Sequence, residues 1–316
     1  MTARRATAGN DAGAAPGGRG SLAAEAIPLF GLAVLVVIWG LSVPAMKLGL
    51  ESLPPFTLAA LRYLIAAPCF VIFLIGRPLP PLRLLLAMIA LGVIGVDLGQ
   101  AMQILGVART SAALATVVTA TIPLFTVVLA SLKLRQKLAP RHIAGLGVAL
   151  AGVACAAFGR PDSFASAGLA GAALLLLCSV VIASYYVLGT VLAIRTTAIV
   201  AAAWTSLAAV PGLVLLAGLE LLHTPFHPTL TGAMVALYLG LLTTVAGMWL
   251  WLTGMRRLPA RIAASTQYLQ PLVGVAASAV LFGDRIGLVF ACGTALVLGG
   301  IALASLPAPR GTIQAR

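Results

Sequence analysis

Apolar runs of about twenty residues alternate along this chain with short breaks rich in Pro, Gly and Arg. A bilayer-crossing helix needs roughly 20 predominantly apolar residues. That criterion predicts ten spans: 27–47, 55–75, 83–105, 110–132, 141–158, 167–189, 196–219, 230–253, 260–282 and 286–305. The breaks carry turn chemistry that cannot continue a helix, as at Leu53-Pro54-Pro55, Gly76-Arg77-Pro78, Gly159-Arg160-Pro161 and Pro225 to Pro228. Residues 1–26 show no apolar period and are predicted to stay a disordered tail, with 306–316 a second, shorter one. The first apolar run is longer than the core of a secretory signal and lacks a small-residue cleavage site, so it reads as a retained span.

The pattern is duplicated. Gly106, Arg109, Ala112, Ala115, Pro123 and Leu124 are matched at a constant offset of 148 positions by Gly254, Arg257, Ala260, Ala263, Pro271 and Leu272. The same offset pairs Gly92 with Gly240, Gly99 with Gly247, Gly145 with Gly293 and Gly152 with Gly300. Chance matches of Ala and Leu are common in apolar sequence, but glycines and a proline held in one gapless register are not. Two repeats are therefore expected, 27–158 and 159–305. Five spans in each is an odd number, so the second half must enter the membrane in the opposite sense.

Composition agrees with a bilayer rather than an aqueous solvent: 61% of residues are hydrophobic, 9% are charged, and the mean hydropathy is +1.10. The net charge of +13 raises the question of a nucleic-acid partner. Most of the 20 lysines and arginines sit between the apolar runs on one side of the predicted membrane, among them Arg77, Arg83, Lys133, Arg135, Lys137, Arg195, Arg256 and Arg257. That asymmetry is the positive-inside pattern, places both termini in the cytoplasm and needs no nucleic acid. The charges also diverge between the halves as inversion requires. The basic break after the fourth span corresponds to one holding only Asp284 and Arg285 after the ninth. The cysteines, Cys69, Cys155, Cys178 and Cys292, lie inside apolar runs without CxxC spacing and read as packing residues, not as a disulfide or metal framework.

Trp39-Gly40 followed by Lys47, then Leu61-Arg62-Tyr63, and the two copies of glycine, small-residue run and proline resemble the drug/metabolite transporter superfamily, specifically chains with two EamA domains. The resemblance covers about 27–305. It implies an all-α membrane fold of ten helices in two inverted five-helix repeats, and a secondary carrier working by alternating access. The motifs mark a superfamily rather than a substrate. One departure stands out: the family often shows Gly-Glu after the fourth span, where this chain reads Leu134-Arg135-Gln136-Lys137, while Gly283-Asp284 in the second copy is closer. Independently of resemblance, an inverted pair has two near-equivalent arrangements around a site at the bilayer midplane. No glycine cluster ends in Gly-Lys-Ser/Thr, so no nucleotide-driven step is expected.

Candidate substrate-binding residues follow from the cost of polar groups in hydrocarbon. Asp97 is the lone acid inside a predicted span, and an intramembrane carboxylate costs about 2.5–3.5 kcal/mol on insertion scales. It can take a proton or a substrate amine, or pair structurally with Lys47 or Arg62. Gln100 and Gln103 continue a polar stripe at one-turn spacing, as ligands or as glue between helices. Lys47 and Arg62 can each attract a carboxylate, Arg bidentately; alternatively Lys47 snorkels to the outer interface and Arg62 pairs structurally. Thr116, Thr119, Gln267 and Tyr268 flank Pro123 and Pro271, where a proline inside a helix would free a carbonyl toward a cavity. The other reading is a packing kink with the threonines bonded back to their own helix. Trp39 can wall a site for an amine or a ring, or anchor at an interface. His223 and His227, separated by Pro225 and without a third ligand nearby, do not make a metal site.

These readings converge on export of a small metabolite, an amino acid or related amine, across a plasma (inner) membrane, with a proton as the candidate coupling ion and no cofactor. Efflux of hydrophobic cations is the alternative within the same class. A membrane-embedded enzyme would need paired carboxylates, a metal cluster or an activated nucleophile. An assembly protein would gain nothing from an inverted repeat.

Overall fold

The structure, a computed structural model, describes residues 20–133, 139–159, 166–224, 228–258 and 266–305. Among them every regular element is helical. Eight helices are long and apolar enough to cross a membrane: α1 (Ala26–Gly49), α2 (Pro55–Leu74), α3 (Leu82–Arg109), α4 (Ala112–Lys133), α5 (Pro140–Phe158), α6 (Gly168–Arg195), α7 (Ala198–Leu221) and α8 (Leu230–Arg257). Two shorter apolar helices follow, α9 (Gln267–Phe282) and α10 (Leu288–Ala304). The start expected for the ninth span, at 260, lies outside the described residues, as do 1–19 and 306–316 of the tails. The helix that contains α1 already begins at Gly20, inside the stretch expected to be tail. The run Leu22-Ala23-Ala24-Glu25-Ala26 consists of strong helix formers, which extend the helix toward the N-terminus.

Helix ends are set by local chemistry. Pro55 and Pro140 occupy the first turns of α2 and α5, where a missing N–H costs nothing. The side chains of Ser111, Thr197 and Thr229 accept from the backbone N–H groups of Leu114, Val200 and Gly232 to cap α4, α7 and α8. Gly283 closes α9 in the left-handed region at φ 64°.

Several spans are not simple α-helices. Helix α3 is π-helical over Gly92–Asp97 and α8 over Tyr238–Ala246. Helix α4 is interrupted at Ala120 and Thr121, and α9 opens on a 3₁₀ turn, Gln267–Leu269. This corrects the expectation of prolines kinking continuous helices. Pro123 and Pro271 sit in the first turn of a restarting segment, Ile122–Lys133 and Gln270–Phe282 respectively, so each follows a break instead of bending an intact helix. Within a helix, Pro68 and Pro211 are the interior prolines of α2 and α7.

Packing interleaves early and late helices. Helix α1 packs on α8 and α9, α2 on α7 and α8, α3 on α6 and α7, and α4 on α6 and α9, while α5 runs along α10. Lipid offers no hydrophobic push between helices, so close approach depends on small residues. A methyl group at Gly152 would fall 2.7 Å from both the Gly293 carbonyl oxygen and the Val297 nitrogen, and one at Gly300 would fall 2.7 Å from the Ala149 nitrogen. Gly145 meets Gly300 and Gly152 meets Gly293, so α5 and α10 are antiparallel and touch backbone to backbone.

Contacts of this kind come in pairs. Gly106 receives Leu175 and Gly254 receives Leu32; Gly99 receives Ile182 and Gly247 receives Trp39; Gly92 abuts Thr205 and Gly240 abuts Arg62. The glycines keep the 148 offset, but their partners run at 143, a register that also pairs Pro68 with Pro211. The outer surface carries large apolar groups such as Leu215, 63% exposed, and Val280, 84% exposed, as a lipid-facing wall requires.

The glycine seam yields a test. Gly152→Val should cost about 1–3 kcal/mol through overpacking and lower the thermal unfolding midpoint of the purified protein in detergent. Gly147→Ala on the same helix, where nothing lies within 4 Å of an added methyl, should leave the midpoint unchanged.

Candidate functional site

Polar side chains converge where α1, α2, α3 and α8 meet. Arg62 lies seven residues into the 20-residue helix α2, about 10 Å along the axis from Pro55 at 1.5 Å per residue. Its Nε donates to Thr244 Oγ1 at 2.7 Å and its Nη1 to Gln100 Oε1 at 3.1 Å, with the guanidinium 5.6 Å from the Tyr63 ring centroid. All these partners are neutral. The guanidinium is held in one orientation, half-buried, and among the described residues no carboxylate lies in hydrogen-bond reach of it.

The π-helical stretch of α8 builds much of this geometry. Thr244 Oγ1 donates to Leu239 O at 2.8 Å while accepting from Arg62. The carbonyl of Thr243 accepts the indole N–H of Trp39 at 3.0 Å, and Tyr238 OH donates to Ile38 O at 2.6 Å. Trp39 also lies 6.0 Å, centroid to centroid, from Trp251. A π turn widens the coil and displaces backbone groups from their i, i+4 partners, which is why such turns concentrate at functional sites.

Asp97 ends the π stretch of α3. It is 8% exposed, and its Oδ1 is buried with no hydrogen-bond partner. The other carboxylate oxygen, Oδ2, fills the space that a side chain at Gly212 would need, one residue past Pro211 in α7. The expected polar stripe therefore divides, with Asp97 facing α7 and Gln100 facing Arg62 on α2. Asp97 forms no ion pair with Lys47 or Arg62.

Other candidates are placed differently. Lys47 does not reach this site: Nζ donates to the carbonyls of Val107, Ala108 and Thr110 at 3.0, 3.1 and 2.7 Å, using the three ammonium hydrogens to cap the end of α3. It is directed at the end of α3 and not at Asp97. The Thr116 hydroxyl donates to Ala112 O at 2.8 Å and that of Thr119 to Ala115 O at 2.9 Å, so both are bonded back to their own helix. Gln267 Oε1 accepts from Gln270 Nε2 at 2.6 Å, while Gln267 Nε2 is buried without a partner. Tyr268 packs against the main apolar core.

Sequence reasoning missed Thr243, Thr244, Tyr238 and Gly212. The available signals were the Thr243-Thr244 pair, 148 positions after the Gly95-Val96 pair, and the Pro211-Gly212 step. It also left Glu220 and Asp284 as plain loop acids. In the structure Glu220 accepts from the N–H groups of Phe56 and Thr57, and Asp284 accepts from Ala113 N–H, each at a helix N-terminus.

A helical chain with an exposed apolar surface, eight helices long and apolar enough to cross a membrane, and a cluster of polar side chains between its helices has the form of a multi-pass membrane protein. The chain belongs to the EamA-like transporter family, whose profile matches residues 26–158 and 169–306. It is 31% identical over 275 residues to the "Uncharacterized inner membrane transporter YedA" of Escherichia coli K12, covering 83% of this chain and 84% of that one. It is 27% identical over 290 residues to the "Probable amino-acid metabolite efflux pump" of the same strain, covering 85% and 91%. A crystal structure 21% identical superposes with a TM-score of 0.61 over 88% of this chain and 96% of the other, a likeness of fold. Membership makes the chain a membrane transporter with a small-molecule substrate.

If Arg62 is oriented by its neutral partners, Gln100→Ala should raise the KM for transport in proteoliposomes about tenfold, the equivalent of one charge-assisted hydrogen bond. Thr119→Val, which removes a hydroxyl already bonded within its helix, should change KM less than twofold.

Proposed function

We propose that the chain is a secondary carrier of ten spans, arranged as inverted five-helix repeats at 27–158 and 159–305, that exports an amino acid or related amine across the inner membrane by alternating access. Both termini lie in the cytoplasm in this reading. Support for inversion comes from the reciprocal contacts: if Gly145 is equivalent to Gly293 and Gly152 to Gly300, an in-plane two-fold axis requires that Gly145–Gly300 be accompanied by Gly293–Gly152, and both contacts occur. The two separate matches to the family profile point the same way.

The observation that carries the substrate reading is Arg62. A guanidinium inside the bilayer with only neutral partners lacks a counter-charge, and a substrate carboxylate would supply it in bidentate geometry. Gln100 positions the guanidinium, Gln267 Nε2 offers a free donor, and Trp39 and Tyr268 furnish aromatic surface, with the Thr116–Thr119 turn alongside. Asp97 is the proton-binding group in this scheme, buried and unpaired beside Gly212. The relative named for amino-acid metabolite efflux agrees with this substrate class. Hydrophobic cations fit less well, because Arg62 would repel them.

Flux of labelled amino acids, their decarboxylated amines and lipophilic cations in proteoliposomes separates these readings. Amino-acid flux driven by an imposed proton gradient is expected in the wild type. Arg62→Gln should lower it at least tenfold, and Asp97→Asn should remove its dependence on the gradient. Lipophilic cations moving fastest, with Arg62→Gln unimpaired, would reverse the assignment; an unaltered gradient dependence in Asp97→Asn would remove the proton from it.

A further inference from the structure

We propose that Lys47, Glu220 and Asp284 form a one-sided latch that holds the external end of the carrier shut. The inference rests on the inverted-repeat, alternating-access reading above and concerns how that cycle is biased.

Two groups of helices border the site. Helices α1, α2, α8 and α9 are linked through α1 on α8 and α9 and α2 on α8, and α3, α4, α6 and α7 through α6 on α3 and α4 and α7 on α3, with the seam between the groups bridged along its length by α2 on α7 and by α4 on α9. Alternating access requires the seam between such groups to part at one end while closing at the other. At the end where α1, α3, α7 and α9 finish, three charged side chains cross that seam. Lys47 of the first group holds the carbonyls of Val107, Ala108 and Thr110 at the end of α3 in the second. Glu220 of the second group holds the N–H groups of Phe56 and Thr57 at 3.1 and 2.8 Å, and the Thr57 hydroxyl at 3.1 Å, at the start of α2 in the first. Asp284, following α9, holds Ala113 N–H at 3.0 Å at the start of α4 in the second. Each charge matches the helix end it grips, cation on C-terminal carbonyls and anions on N-terminal amides, so every grip is both a charge-assisted hydrogen bond and a favourable dipole contact. With the termini in the cytoplasm, this is the external face.

The cytoplasmic face cannot form the same latch. At the 143 register Lys47 corresponds to Thr190 and Glu220 to Arg77; at 148 Asp284 corresponds to Gln136. Thr190 is too short to span the seam, and its hydroxyl donates to Val187 O within its own helix. Arg77 cannot accept an amide hydrogen at all, and donates instead to Thr197 Oγ1 at 3.3 Å. Gln136 carries no charge. Two near-equivalent arrangements thus become unequal, and the empty carrier rests closed to the outside.

Spin labels on cysteines at the exposed positions Arg109 and Leu230, one in each group, report the external opening by pulsed electron resonance in a background lacking the native cysteines. The expected result is one short distance in the otherwise unchanged chain, and a second, longer population increased at least tenfold by Lys47→Met and, independently, by Asp284→Asn. Lys47→Arg, which can still donate to carbonyls, should restore the short distance. Monodisperse Lys47→Met and Asp284→Asn proteins with an unchanged distribution, in a chain that transports in the flux assay, overturn the latch and leave the transport reading standing. Absence of flux for every compound in the wild type overturns the transport reading itself, and the latch with it.

Discussion

Inside a bilayer no water is available to satisfy polar groups, so each must find its partner within the protein. That constraint orders the whole molecule. It makes the chain helical, ties serine and threonine hydroxyls back to their own carbonyls, as at Thr116, Thr126, Ser179 and Ser278, and sends charged side chains to helix ends with spare donors or acceptors. What remains unsatisfied is then informative. Among the described residues the buried side-chain atoms without partners are Asp97 Oδ1, Thr243 Oγ1 and Gln267 Nε2, on α3, α8 and α9, and Arg141 Nε and His142 Nδ1 at the start of α5, while Arg62 has only neutral partners.

The same constraint governs where irregular backbone is tolerated. A π turn, a helix break or a 3₁₀ opening releases backbone groups, which hydrocarbon would penalise by several kcal/mol each if they faced lipid. In α3, α4, α8 and α9 these irregularities lie at corresponding places, and in α8 the Trp39 indole N–H takes up the Thr243 carbonyl of the π stretch. Elsewhere packing is nearly featureless, and glycine decides how closely backbones approach. The α5–α10 seam is the extreme case, where a methyl group at Gly145, Gly152, Gly293 or Gly300 would collide with backbone atoms of the facing helix.

Much of this was legible in the sequence because it depends on length and period. Span positions follow from apolar run length, and the 148 register follows from glycines whose role is steric and admits no substitute. The 143 register of the first two helices in each half escaped notice because its contacts involve large side chains set against glycines, and large apolar residues exchange freely: Trp39 stands where Ile182 stands, and Arg62 where Thr205 stands. Polarity and depth in the sequence single out Arg62, Gln100 and Asp97, of which the structure joins Arg62 to Gln100 and sets Asp97 against Gly212. Those criteria could not tell that Lys47 ends on carbonyls of α3 or that Thr119 is satisfied locally, since both outcomes depend on which helix lies opposite. The Thr243-Thr244 pair and the Pro211-Gly212 step are visible in the sequence, but what they meet is not: Thr244 is picked out only by the guanidinium it accepts from, and Gly212 only by the carboxylate that fills its place.

Whatever neutralises Arg62 during transport defines the substrate class. An experimental structure of the protein in lipid nanodiscs with a transported amino acid bound tests this most directly. The substrate carboxylate should lie within hydrogen-bond distance of the Arg62 guanidinium, between α2, α3 and α8, with Gln100 and Thr244 still holding Nη1 and Nε. Substrate bound elsewhere in the bundle, with Arg62 contacting only its neutral partners, would contradict it.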